Sequence, residues 1–157
     1  ETFLVHENIA KSFLPKLFDL FTSVPIKMLG DEKARTICPK MDKATDEDWS
    51  REYLDLIISI KVVPSLKDAI RHINHYGSHH SDAIVSDDKS AQQTFCKEVD
   101  SAAVYINAST RFTDGFVFGL GAEMGISTDK LHARGPMGIV ELTSYKWIGV
   151  GNGHIRT

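Results

Sequence analysis

The sequence has only two cysteines, Cys38 and Cys96, and they stand far apart. That excludes a disulfide framework and a paired-cysteine metal motif, and it favours a reducing compartment such as the cytoplasm. Long apolar runs are also missing. The longest, Leu56-Ile-Ile-Ser-Ile60, falls far short of the roughly 20 residues that a membrane-spanning helix needs, so no membrane class is indicated. Basic residues do not cluster. With 18 Lys and Arg against 21 Asp and Glu, the net charge is −3, which argues against nucleic acid as a partner. A starting Met is absent as well, and Glu1-Thr-Phe-Leu-Val-His6 reads as a strand already under way, as in a truncated chain.

What is present describes an ordinary folded domain. Apolar residues make up 42% and charged residues 25% of 157 positions, enough to bury a core and close to globular averages. Residues 7–21 place Ile9, Phe13, Leu17 and Leu20 at helical spacing, with Phe18 and Phe21 widening the stripe and Pro15 expected to kink or end the helix. Val24 to Met28 suits a short edge strand, because Pro25 cannot donate to a ladder. Residues 32–38 are ambiguous. Thr45-Asp-Glu-Asp48 is better explained as an acidic helix start or solvated turn than as a metal site.

The clearest strand spans Glu52 to Val63, rich in β-branched residues and closed by Pro64. Ser65 can cap a helix from Leu66 to Tyr76, with Gly77 as its terminator. Asp82 to Ser86, Ser90 to Val99 and Ala102 to Asn107 then read as strand, helix and strand. The alternation predicts the α/β class, a parallel sheet with helices on both faces and right-handed crossovers. Gly135-Pro-Met-Gly138 leads into a short helix ending at Leu142, and Tyr145 to Val150 reads as a terminal strand with no visible partner.

One stretch breaks the periodic pattern. Asn107-Ala-Ser-Thr-Arg-Phe-Thr-Asp-Gly115 and the glycine-spaced run after it concentrate an amide, hydroxyls and a guanidinium. It follows the carboxyl end of a strand, where open α/β sheets bind ligands. The competing reading is a plain surface loop.

Other constellations are weaker. His72, His75, His79 and His80 can be read as a metal site of a hydrolase, but no zinc motif accompanies them, and turn or pocket-lining roles fit better. Gly119-Leu-Gly121 with Gly125 and Glu141 imitates a dinucleotide fingerprint, yet Met124 stands where its third small residue belongs. Cys96 reads as a small core residue and Cys38 as part of a turn, so neither is a convincing nucleophile.

Several long segments resemble one family: Glu1-Thr-Phe-Leu-Val-His6, Glu52-Tyr-Leu-Asp-Leu56, Tyr76-Gly-Ser-His-His-Ser-Asp-Ala-Ile-Val85, Val99-Asp-Ser-Ala-Ala-Val-Tyr105, Asn107 to Gly115, Phe118 to Thr128 and His132-Ala-Arg-Gly-Pro-Met-Gly138. It is glutamate-5-semialdehyde dehydrogenase, also called gamma-glutamyl phosphate reductase, of the aldehyde dehydrogenase superfamily. The resemblance runs along the chain but covers less than half of the family's usual length, its carboxyl-terminal part. It implies NADPH-dependent conversion of gamma-glutamyl phosphate to glutamate-5-semialdehyde in proline biosynthesis, through a cysteine thioester. The catalytic cysteine is expected before Glu1, so no catalytic residue is assigned within the chain.

By the same resemblance, residues 1–143 form the carboxyl-terminal part of a catalytic α/β domain, and residues 144–157 form an oligomerisation strand and tail. Glu52 is expected to hold the nicotinamide ribose, with Leu54 near the ring. Asn107, Ser109, Thr110, Arg111 and Phe112 are expected to line the substrate pocket, unless Arg111 instead pairs Asp114. A homo-oligomer is implied, and association with glutamate kinase is compatible with the pathway. The alternative is a non-catalytic module that keeps the substrate loop and the assembly strand.

Overall fold

The computed structural model describes all 157 residues. Four parallel strands form the larger sheet: β1 (Thr2–His6), β2 (Lys27–Gly30), β3 (Asp42–Lys43) and β4 (Ile57–Val63), in the order β1-β4-β2-β3. Central β4 is apolar nearly throughout because both of its faces are covered. Ile58, Ile60 and Val62 point to a core shared with Val5, Ala10, Leu14, Leu17 and Met28. Helices α1 (Glu7–Thr22) and α2 (Glu32–Ile37) cover that side. The opposite side carries Leu29, Ala44 and Trp49, with Tyr53, Ile57 and Tyr76 against them.

The first helix corrects two expectations. It passes through Pro15 without ending, and its buried residues are Ala10, Leu14 and Leu17. Ile9, Phe13 and Leu20 face outward instead. The core stripe runs through a small residue at i and leucines at i+4 and i+7, and Phe18 and Phe21 pack against it as the expected widening of the stripe. The edge strand expected at residues 24–28 also moves. Pairing starts at Lys27, beyond Pro25, and β2 lies inside the sheet between β4 and β3. The ambiguous segment resolves as α2, because Asp31 Oδ1 accepts a hydrogen bond from Ala34 N at 2.8 Å while Oδ2 accepts from Val62 N at 3.2 Å.

Helix α3 (Leu66–Tyr76) occupies its expected span, with Ser65 Oγ accepting from Asp68 N. It leads to β5 (Ser81–Ile84), then α4 (Lys89–Glu98) and β6 (Ala103–Ile106). Strands β5 and β6 pair in parallel, but they form a sheet separate from β4. The single sheet expected from the alternation is therefore two parallel sheets. Ile70, Phe95 and Val99 form a small core beneath the second one.

A short antiparallel pair, β7 (Gly125–Ser127) and β8 (Gly135–Met137), closes the glycine-rich region and was not legible in advance. The 3-10 turn Val140–Leu142 follows. Residues 144–157 form no strand within this chain, and Tyr145, Trp147, Ile148 and Val150 are exposed. No helix is long and apolar enough to cross a membrane.

Candidate functional site

Two places hold the expected site residues, and they belong to different sheets. Asn107 follows β6 in the two-stranded sheet, whereas Glu52 and Leu54 precede β4 in the larger one.

The strand that the sequence predicts from Glu52 starts at Ile57. Leu54 has φ +51°, a left-handed conformation that ends any extended run, and Asp55 Oδ1 accepts from Leu56 N at 2.7 Å. Tyr53 anchors this turn inward, its hydroxyl lying 2.8 Å from both Asp48 Oδ1 and Ser59 Oγ. Ser59 is completely buried on β4. Asp48 in turn caps the 3-10 turn Asp46–Trp49, accepting from Thr45 N at 2.6 Å. That backbone hydrogen bond, before the contributions of the Thr45 and Tyr53 hydroxyls, holds the Asp48 carboxyl below its usual range despite some burial. Burial pushes the Tyr53 hydroxyl up. With Tyr53 fixed, Glu52 and Leu54 project to solvent on either side of it. Glu52 has no ion-pair partner, so its carboxylate is free to accept hydrogen bonds. Sequence reading passed over Tyr53 and Ser59; a tyrosine next to an otherwise exposed Glu was the signal available.

At the second place Asn107 is occupied structurally. Its N–H donates to Ile84 O at 2.8 Å, its Oδ1 accepts from Ser86 N at 2.9 Å, and its Nδ2 donates to Ser86 O at 3.0 Å. The side chain thus continues the pairing of β5 and β6 past the strand ends. Its φ of +52° turns the chain into the loop, a conformation asparagine tolerates better than most residues. Ser109 Oγ then accepts from Arg111 N at 3.2 Å and caps the 3-10 turn Thr110–Phe112. The Thr113 and Tyr105 hydroxyls meet at 2.7 Å and tie the loop back to β6.

Arg111 and Asp114 do not pair. Asp114 Oδ1 accepts from Phe116 N at 2.8 Å and Val117 N at 2.9 Å, forming its own turn. The Arg111 guanidinium is left exposed without a carboxylate in a loop whose Phe112, Phe116, Val117 and Phe118 are also exposed. An unpaired guanidinium can take a ligand carboxylate through two parallel charge-assisted hydrogen bonds. Gly115 is required where it stands, since an added Cβ would lie 2.3 Å from Ala122 O. The run Gly119 to Gly125 opens no helix, which removes the dinucleotide reading.

The histidines diverge. His79 Nδ1 lies 2.6 Å from Asp100 O, His80 Nδ1 lies 2.9 Å from Ser81 Oγ, and no group of His, Cys, Asp and Glu is arranged to hold a metal ion. Cys38 is buried, and burial, then the Asp19 charge, pushes its thiol up, the reverse of what activates a nucleophile. Cys96 is exposed on α4 and not a core residue as expected.

No family model matches the chain. Individual proteins do. Over 156 residues it is 54% identical to the gamma-glutamyl phosphate reductase of Halothermothrix orenii, covering 99% of this chain and 37% of that protein. Along nearly its whole length the chain matches part of the gamma-glutamyl phosphate reductases. The crystal structure of the Thermotoga maritima enzyme superposes on the whole chain with a TM-score of 0.95 at 51% identity, again over 38% of the larger protein. A propionaldehyde dehydrogenase of a Clostridium phytofermentans bacterial microcompartment shares the fold alone, with a TM-score of 0.55 at 17% identity over 87% of this chain and 39% of the other. The chain therefore spans well under half the length of the gamma-glutamyl phosphate reductases it matches.

Proposed function

We propose that this chain contributes to an NADPH-dependent reductase that converts gamma-glutamyl phosphate to glutamate-5-semialdehyde and phosphate in proline biosynthesis. The observation that carries this reading is 54% identity to a gamma-glutamyl phosphate reductase along 99% of the chain. The proposed setting is the cytoplasm, and the proposed assembly is a homo-oligomer through residues 144–157, whose exposed apolar side chains suit pairing with a second copy. Association with glutamate kinase belongs to the same proposal.

NADPH, when bound, supplies the hydride. The exposed, unpaired carboxylate of Glu52 fits a pair of ribose hydroxyls, and Leu54 offers an apolar contact beside it. Tyr53 serves as a positioning residue by holding this turn to Ser59 and Asp48. Arg111 holds the substrate carboxylate, with the Ser109 and Thr110 hydroxyls as neighbours. Asn107 and Asp114 shape the loop, and Asn107 and Phe112, both exposed, complete the proposed substrate lining. No nucleophile is assigned to this chain, because burial pushes the Cys38 thiol up and the exposed Cys96 thiol has no hydrogen-bond partner to activate it.

The test is gamma-glutamyl phosphate-dependent oxidation of NADPH by the 157-residue chain and by a longer protein carrying it. Turnover is expected from the longer protein only. Turnover by the chain alone would show that its own residues supply the nucleophile. A second reading, a non-catalytic binding or assembly module, is favoured by the exposed tail; calorimetry with NADPH and glutamate separates the two, since such a module gives heat with neither.

A further inference from the structure

A cavity of about 480 Å³ lies between the end of β4 and α3, and none of the site residues described above lines it. Lys61, Asp68, Arg71, His72 and His75 contribute its polar lining. Lys61 is held in place. Its Nζ lies 3.3 Å from His72 Nδ1, 5.0 Å from the Trp49 ring centroid and 5.9 Å from that of Tyr76. The aromatic faces stabilise the ammonium, yet no carboxylate lies within ion-pairing distance of it.

The only carboxylate of the cavity is already engaged. Asp68 Oδ2 accepts from Ser65 Oγ at 2.6 Å, and Oδ1 pairs with Arg71 Nη1 at 3.3 Å. Two cations and the exposed His75 therefore face one carboxylate that is already shared. Burial, then the charges of Lys61 and His75, keep His72 neutral, with its pKa lowered to about 4, so the imidazole can accept from Lys61 and leave the other ammonium protons free. The Nε2 atom of His72 is buried without a partner.

We propose that this cavity binds a small tetrahedral oxyanion of the phosphate type, held by the Lys61 ammonium and the Arg71 guanidinium with His75 at the rim. Free phosphate and the phosphoryl group of a larger molecule share this chemistry. The assignment rests on the cavity alone and stands or falls independently of the reductase reading.

The experiment is a titration with inorganic phosphate at constant ionic strength, balanced with chloride, read by calorimetry and by the imidazole NMR resonances of His72 and His75. Saturable binding is expected, with both rings responding. Lys61→Met and Arg71→Gln are each expected to weaken it by about tenfold or more, roughly 1.4 kcal/mol, while Lys11→Met, on the exposed face of α1, leaves it unchanged. Should Lys61→Met fail to fold, Arg71→Gln on the exposed side of α3 carries the test. Methyl phosphate run in parallel identifies the source: equal binding indicates a phosphoryl group on a larger ligand, and exclusive binding of inorganic phosphate indicates the free ion. A response that chloride reproduces, that never saturates with either probe, or that survives Arg71→Gln unchanged overturns the proposal.

Discussion

Replacing Asn107 tests whether it is a structural clamp. Asn107→Ala removes both hydrogen bonds to the Ser86 backbone, the 2.9 Å bond from its N–H and the 3.0 Å bond to its carbonyl. Each is worth about 0.5–1 kcal/mol at this exposed position, the lower part of the usual range. Ser86 O keeps a second donor, Gln92 Nε2 at 2.6 Å, so the larger loss falls on the Ser86 N–H. Alanine must also adopt the φ of +52°, at about 1 kcal/mol relative to a residue that tolerates the left-handed region. Together these give about 2–3 kcal/mol for Asn107→Ala. Asn107→Gly loses the same hydrogen bonds without the conformational strain, and is expected to cost about 1–2 kcal/mol. Urea denaturation followed by circular dichroism measures both through the midpoint at unchanged slope. The reasoning is refuted if Asn107→Ala lies within about 0.5 kcal/mol of the parent, the range of surface changes that touch nothing, or if the glycine variant is as unstable as the alanine one.

Further outcomes follow from other residues. Leu14→Ala, at a fully buried position against β4, is expected to cost about 2–5 kcal/mol in the same assay. Tyr53→Phe removes the hydroxyl bonded to Asp48 and Ser59; a loss of about 1–2 kcal/mol is expected, with a raised KM for NADPH in a longer, active protein. His72 has a folded pKa of about 4 against an ordinary 6.5. As pH falls through that window the unfolded chain takes up a proton that the folded chain does not, so stability declines from about pH 6.5 and levels off below about 4. His72→Asn is expected to flatten that part of the stability profile, measured by urea midpoints across the range.

How much of this was legible in advance varied with the physical signal. Helix α3 was, because Ser65 and Gly77 mark its ends and Ile70 and Ile73 fall at helical spacing. Helix α1 was legible as a helix but not in its orientation, because large apolar residues occur on two sides and only contact with β4 selects Ala10, Leu14 and Leu17. The start of β4 was overrun by five residues, since nothing in the composition of Glu52 to Leu56 signals the left-handed turn at Leu54. The break between the two sheets is a long-range property that local periodicity does not encode. At the candidate site, the position of the loop after β6 was legible from strand order, and the free state of Arg111 was not, because it depends on Asp114 bonding to Phe116 and Val117 instead.

The central claim is that this chain supplies cofactor and substrate contacts to a gamma-glutamyl phosphate reductase. Steady-state oxidation of NADPH by a longer protein carrying these residues tests it most directly. The account predicts that Glu52→Gln raises the KM for NADPH and that Arg111→Met raises the KM for gamma-glutamyl phosphate by about 10- to 100-fold, each selectively. A protein that oxidises no NADPH with gamma-glutamyl phosphate, or variants whose constants match the parent's, would contradict it.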